Sequence, residues 1–183
     1  MNNKRKIFLS KFISKHLRHE PETLGLTLQV GGWVLVTDLI NRALAMGVAF
    51  THEELCEVVE TSDKQRYSFD STKTLIRANQ GHSVPVDLQL TAVSPPHVLY
   101  HGTAEQFVLA IKDAGLLPMQ RHHVHLSADI ETARRVGMRH GKPVIFAVDA
   151  PVMYEQGIEF FQSDNGVWLT AIVLPQFLTL LNS

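Results

Sequence analysis

Three observations predict an α+β protein in two lobes. Helical periodicity dominates the first half, strands and helices mix in the second, and Ser94-Pro95-Pro96 interrupts the pattern between them. The expected lobes are residues 1–93 and 94–183.

The amino end reads as an amphipathic helix, with Leu9, Phe12, Ile13, His16 and Leu17 on one face at three- and four-residue spacing. Pro21 drives Glu20 out of the helical region, so this helix stops near His19 or Glu20. Gly31-Gly32 introduces the β-prone run Trp33-Val34-Leu35-Val36. Asp38 can cap a short helix carrying Leu39, Ile40, Ala43 and Leu44, closed by Gly47. Thr51-His52-Glu53-Glu54 has the form of a capping box, with Leu55, Val58 and Val59 turned inward. Arg66–Phe69 and Thr74–Arg77 then read as two strands around a polar turn at Asp70-Ser71-Thr72. Three helices and a terminal hairpin outline a winged-helix module, which is an analogy of fold alone.

Beyond the break, Val98-Leu99-Tyr100 is a strand that ends in His101-Gly102-Thr103, and Thr103 with Gln106 forms a second capping box for a helix reaching Gly115. Val124–Ser127 is a strand, and Asp129 opens a helix through Ala133 and Val136 to about His140. The continuous apolar run Val144–Val148 fits a buried strand. Asp164-Asn165-Gly166 is a hairpin turn before Val167–Val173.

Composition narrows the class. An apolar fraction of 45% with 19% charged residues describes a globular protein, and no stretch approaches the ~18 uninterrupted apolar residues of a membrane helix. The single Cys56 excludes an internal disulfide framework and suits a reducing compartment. The basic stretch Met1–Lys6 lacks the apolar core of a secretion signal, so a cytoplasmic location is expected. Net charge is −1, yet Lys4, Arg5, Lys6, Lys11, Lys15 and Arg18 all precede the first acid, Glu20. A basic amino end on a neutral whole fits a local anion site, and it also fits a solvated helix face.

Arg18 and His19 stand where the first helix must end. A guanidinium is a planar fork for phosphate oxygens, and imidazole both takes and gives a proton near neutral pH. The same pair also suits a basic last turn that complements the helix dipole. A second polar cluster is Arg77-Ala78-Asn79-Gln80-Gly81-His82-Ser83, rich in partners for phosphate, ribose or amide. His101-Gly102-Thr103 is a third, with backbone N–H groups expected to face an anion or carboxamide. Arg18, Arg66, Arg77 and Arg139 lie in separate segments. His122, His123 and His125, with His101, offer imidazoles, but no cysteine or carboxylate pair stands near them in sequence and no metal is expected. Fingerprints for dinucleotide- and phosphate-binding loops, zinc proteases and serine hydrolases are absent from the sequence.

Taken together, these segments resemble the NAD-dependent RNA (tRNA) 2′-phosphotransferases of the bacterial KptA type, over nearly the whole chain. The resemblance rests on Ser14–His19, Gly32-Trp33-Val34, Lys64–Tyr67, Ile76–Ser83, Leu99–Thr103, Val124–Ser127, Gly137–Gly141 and Asn165–Leu169. It implies a winged-helix RNA lobe followed by an ADP-ribosyltransferase-like NAD lobe. It further implies a catalytic quartet mapping to Arg18, His19, Arg66 and Arg139, with Arg134 and Arg135 as neighbours of the last. Residues expected to hold NAD are Arg77, Asn79, Gln80, His82, His101, Gly102, Thr103, His125 and Ser127, and those expected to meet RNA are Lys11, Lys15 and Arg18. The implied reaction moves an internal RNA 2′-phosphate to NAD in two steps, with no metal, by a monomer. A one-step ADP-ribosyltransferase on nucleic-acid phosphate ends and a noncatalytic RNA-binding module are the competing readings.

Overall fold

A computed structural model describes residues 1–62 and 64–181. The chain is mixed α and β, with small antiparallel sheets, and divides into two compact units, one spanning Met1–Gln89 and the other starting at Leu90. The division precedes Ser94-Pro95-Pro96, because Ala92 and Val93 pair with the Phe160–Phe161 backbone and so belong to the second unit.

The first unit opens with α1 (Asn3–Arg18), whose Asn2 side chain accepts the Arg5 amide at 2.8 Å. Leu9, Ile13 and Leu17 are fully buried, each stabilising the unit by about 1.5–3 kcal/mol. His16 shares that face; its Nδ1 lies 2.8 Å from the Phe12 carbonyl and its ring against Phe12. A 3₁₀ turn at Pro21–Leu24 follows, closed by Gly25 in the left-handed region. Gly31 and Gly32 both have positive φ, which carries the chain past His82 and Leu88 into β1 (Val34–Leu35). β1 is shorter than expected because Val36 already begins α2 (Val36–Ala45). Asp38 is therefore not the cap; it sits within the first turn, where its charge still favours the dipole. α3 (His52–Glu60) has the anticipated capping box, with Thr51 and Glu54 bonding reciprocally. β2 (Tyr67–Phe69) and β3 (Leu75–Ala78) form the hairpin, and the sheet order is β1-β3-β2. The Thr72 hydroxyl, then the Leu75 N–H and the Thr74 hydroxyl, donate to Asp70 and hold its carboxyl down at about 2.

In the second unit, β4 (Leu99–Ala104) pairs with β6 (Pro143–Val148), and β6 with β9 (Leu178–Leu181). A second sheet has the order β5-β8-β7, from β5 (Val124–Leu126), β7 (Phe160–Gln162) and β8 (Trp168–Thr170). The Asp164-Asn165-Gly166 turn joins β7 to β8, with Gly166 at φ 76°. β8 stops at Thr170, and Val173 instead bridges to Leu116. Helices are α4 (Val108–Ala114), α5 (Ile130–Gly137), capped by Asp129, and α6 (Ala150–Glu155). Two expectations fail here for one reason. His101, Gly102 and Thr103 lie inside β4, paired with Phe146, Ile145 and Val144, so they are not a strand end with outward-facing amides. Thr103 is buried in that strand and caps nothing; a 3₁₀ turn at Glu105–Phe107 precedes α4 without a side-chain cap. Among the described residues, no helix is long and apolar enough to cross a membrane.

Candidate active site

In the first unit, the end of α1 collects the polar residues. The Arg18 carbonyl, one of the helix's terminal acceptors, takes the Ser83 N–H at 2.9 Å. The Ser83 hydroxyl in turn lies 2.9 Å from His19 Nδ1, leaving Nε2 of this exposed ring facing away from the serine. Arg18 Nη2 donates to the Arg66 carbonyl at 3.4 Å, and the Arg18 guanidinium lies over Gly81, 3.8 Å from where a Cβ would stand. Gly81 at φ 86° satisfies both the turn and that approach.

Arg66 is held from the opposite strand. Asn79 N–H donates to the Arg66 carbonyl at 2.9 Å, and Asn79 Nδ2 donates to the Gln65 carbonyl at 2.7 Å. Buried Asn79 thus anchors the segment carrying Arg66, while its Oδ1 has no hydrogen-bond partner among the described residues. Arg77 is also committed inside the unit. Its guanidinium stacks over Trp33 at 4.7 Å and donates to the Gly31 carbonyl at 3.4 Å, a cation–π contact of about 1 kcal/mol. His82 is 1% exposed, beneath Gly32. Gln80 is half-buried between these residues in sequence.

In the second unit, β4 and β5 meet through a reciprocal pair of bonds between Tyr100 and Ser127, both 2.8 Å. This join brings His101, His125 and Ser127 together, and Thr103 shares the His101 face of β4. His101 Nδ1 lies 3.1 Å from the His125 carbonyl, and His125 Nδ1 lies 3.0 Å from the His123 carbonyl. Burial pushes the His101 imidazole below its ordinary value, against a smaller opposing effect of that carbonyl. Burial, then repulsion from His122, does the same to His123. Gly102 faces the other way, into α5, where the Ala133 carbonyl would lie 1.6 Å from an added Cβ. Arg139 is exposed just past α5 and makes no side-chain hydrogen bond or ion pair among the described residues. Arg134 approaches Glu131 at 3.8 Å and Arg135 donates to Thr132 at 2.9 Å, so both engage their own helix. No group of three or more His, Cys, Asp or Glu gathers as metal ligands among the described residues.

Ser83 is the residue that sequence reasoning passed over. It ends a cluster singled out for its hydrogen-bonding capacity, but nothing in spacing ties residue 83 to residue 19. Asn79 was expected to meet a cofactor, and its visible bonds are to the backbone beside Arg66.

The depressed His101 and His123 values set a sign for stability. Below about pH 6.5, the unfolded chain takes protons that the folded imidazoles refuse, so stability falls as pH falls through that range. Denaturation midpoints taken between pH 7.5 and 5.5 should decline, and His101→Asn should flatten the slope. Each proton contributes at most about 1.4 kcal/mol per pH unit. An unchanged slope in that variant would contradict the assignment to His101.

An arginine beside an oriented imidazole is an arrangement able to hold a phosphate and move a proton, and the relatives of this chain make it an enzyme of the transferase class. The model of the RNA 2′-phosphotransferase, Tpt1 / KptA family matches residues 4–172. Curated relatives named probable RNA 2′-phosphotransferase include one from Trichormus variabilis, 58% identical with all of both chains covered. One from Nostoc punctiforme is 55% identical over 97% of this chain and 98% of its own. Another, from Herpetosiphon aurantiacus, is 54% identical over 98% and 99%. The chain belongs to the RNA 2′-phosphotransferase, Tpt1 / KptA family.

Proposed function

We propose that the protein transfers an internal RNA 2′-phosphate to NAD in two steps, in the cytoplasm and as a monomer. The observation that carries this reading is the pairing of Arg18 with a His19 whose ring is held by Ser83 at the end of α1. The unit Met1–Gln89 serves as the winged-helix-like RNA lobe, and the unit from Leu90 as the ADP-ribosyltransferase-like NAD lobe. In the first step an oxygen of the 2′-phosphate bonds to the anomeric carbon of the NAD ribose while the bond to nicotinamide breaks. A phosphomonoester is already largely ionised at neutral pH, its second pKa being about 6, so clamping it in line is the main requirement. In the second step the neighbouring ribose hydroxyl bonds to phosphorus and the RNA 2′-oxygen leaves. The products are 2′-OH RNA and ADP-ribose 1″,2″-cyclic phosphate. One hydroxyl loses a proton here and another gains one, which is the work given to His19.

Arg18, Arg66 and Arg139 neutralise the phosphoryl oxygens. Arg139 is preferred over Arg134 and Arg135 because its guanidinium is uncommitted, whereas theirs hold Glu131 and Thr132. On the NAD side, burial favours a neutral His101, which suits a hydroxyl or carboxamide better than a charged phosphate. Thr103, His125 and Ser127 share that region. Arg77, Asn79, Gln80, His82 and Gly102 are kept as further NAD-holding residues; Arg77 also braces Trp33, Asn79 the backbone beside Arg66, and Gly102 admits α5.

Incubation with labelled NAD and a 2′-phosphorylated oligonucleotide tests the proposal. Nicotinamide, 2′-OH RNA and a cyclic phosphate of ADP-ribose are expected, with activity unchanged after prolonged dialysis against EDTA. A stable ADP-ribosylated end would point to a one-step transferase. RNA binding without NAD consumption would reduce the protein to a binding module. Activity that returned only with added metal would overturn the role given to the arginines.

A further inference from the structure

The charge on α1 divides sharply between two faces. Arg5 donates to both carboxylate oxygens of Glu54 and to the Ala49 carbonyl, and Lys6 lies 3.4 Å from Glu57. The basic residues turned toward α3 are therefore neutralised within the unit. On the opposite side, Lys4, Phe8, Lys11, Lys15 and His19 recur at three- and four-residue steps and form one stripe that ends at the catalytic turn. Lys4 and Lys11 make no ion pair among the described residues; Lys15 meets Glu20 at 3.0 Å. The helix contains no acid.

Phe8 lies in the middle of this stripe, 51% exposed and outside the buried core cluster of the unit. Its ring is stacked on Phe12 at 6.4 Å and 27°, and Phe12 leans on His16 at 4.3 Å. An aromatic stacked on a second ring and flanked by Lys4 and Lys11, which make no ion pair among the described residues, is an arrangement that binds single-stranded nucleic acid: cations track the phosphates and a ring receives a base. An apolar partner would meet too much charge here, and an acidic protein would have no use for the ring.

We infer that the solvent stripe of α1 is a track for the RNA strand flanking the 2′-phosphate, and that Phe8 stacks one of its bases. This deepens the proposed phosphotransfer and rests on it for the position of the reacting phosphate. Phe8 and His19 are eleven residues apart, about 16 Å along the helix axis. That equals roughly five nucleotides at the ~3.4 Å spacing of stacked bases, and fewer for a stretched strand. The stacked base thus belongs to a nucleotide several positions from the one that reacts, and the track rewards longer substrates without reading their sequence.

The test compares kcat/KM for a 2′-phosphorylated dinucleotide with that for oligonucleotides extended by six residues on the 5′ or the 3′ side. Wild type should prefer one extended substrate by about tenfold, the order of effect of one base stacked on an aromatic ring. Phe8→Ala should lower that ratio toward one, Phe8→Trp should restore it, and an abasic residue at the stacked position should reproduce the loss in wild type. Lys11→Gln should lower the logarithmic salt slope of binding by about 0.7. A wild-type ratio of one on both sides, or a ratio unchanged in Phe8→Ala, would overturn the track. If the wild type turned over none of these substrates, the phosphotransfer reading would fail. Fluorescence anisotropy of a plain single-stranded oligonucleotide would then judge the track alone: it stands if Phe8→Ala weakens binding and falls if it does not.

Discussion

Replacing His19 with alanine is expected to leave RNA carrying ADP-ribose on its 2′-phosphate, because the variant loses the second step far more than the first. In the proposed reaction the first step forms a bond from an ionised phosphate oxygen and needs no proton at that phosphate. The proposed second step moves a proton from the attacking hydroxyl to the departing RNA oxygen, and removing a positioned acid–base group slows such a step by about 10²–10⁴-fold. Ser83→Ala should give a milder form of the same phenotype, since its hydroxyl bonds His19 Nδ1 at 2.9 Å and so orients the ring to which the proposed reaction gives the proton transfer. Loss of one orienting bond corresponds to about tenfold. Arg66→Ala should also stall at the intermediate. Chromatography of reactions quenched over time resolves substrate, intermediate and product. Equal loss of both steps, with no trapped intermediate in any of the three variants, would remove the acid–base role from His19.

Gly102→Ala is expected to unfold or severely loosen the second unit. An added Cβ would lie 1.6 Å from the Ala133 carbonyl and 2.4 Å from its carbon, both backbone atoms of α5. No rotamer relieves a clash with backbone, so α5 must lift from β4, at a cost of roughly 3 kcal/mol or more. Gly137→Ala strikes the same interface from the helix side, with its Cβ 2.5 Å from the Thr103 carbonyl. Gly47→Ala is the contrasting case: nothing lies within 4 Å, and only the left-handed backbone at φ 81° is penalised, by about 1–2 kcal/mol. Urea denaturation of the three variants measures the difference. A Gly102→Ala protein as stable as wild type would mean that α5 does not sit against β4 as described.

Much of the fold was legible in the chain because its signals are local. The 3.6-residue period of α1, the Pro21 stop, the Thr51–Glu54 box, the Asp129 cap and the Asp164–Gly166 turn each depend on residues a few positions apart. The errors came where a local signal competed with pairing between distant strands. Thr103 and Gln106 have the spacing of a capping box, yet Thr103 is paired with Val144, about forty residues away. Asp38 looks like a cap, but β1 ends early and α2 begins at Val36, whose N–H is taken by the Thr74 carbonyl.

For the site, sequence alone determined that Arg18 and His19 stand side by side at the end of a helix. A proline two residues on and an apolar stripe before them leave the backbone no other arrangement. It also separated the polar motifs into two groups on either side of a break. Only the tertiary structure decided where those side chains go. Arg77 turned inward onto Trp33, Asn79 onto the backbone beside Arg66, and Gly102 under α5, while Ser83 came to rest against His19 from sixty-four residues away. A hydrogen bond or a close packing contact depends on positions in space to within a fraction of an ångström. Those positions are set by which strands pair and which helix covers them, and residue type and local spacing carry no record of that.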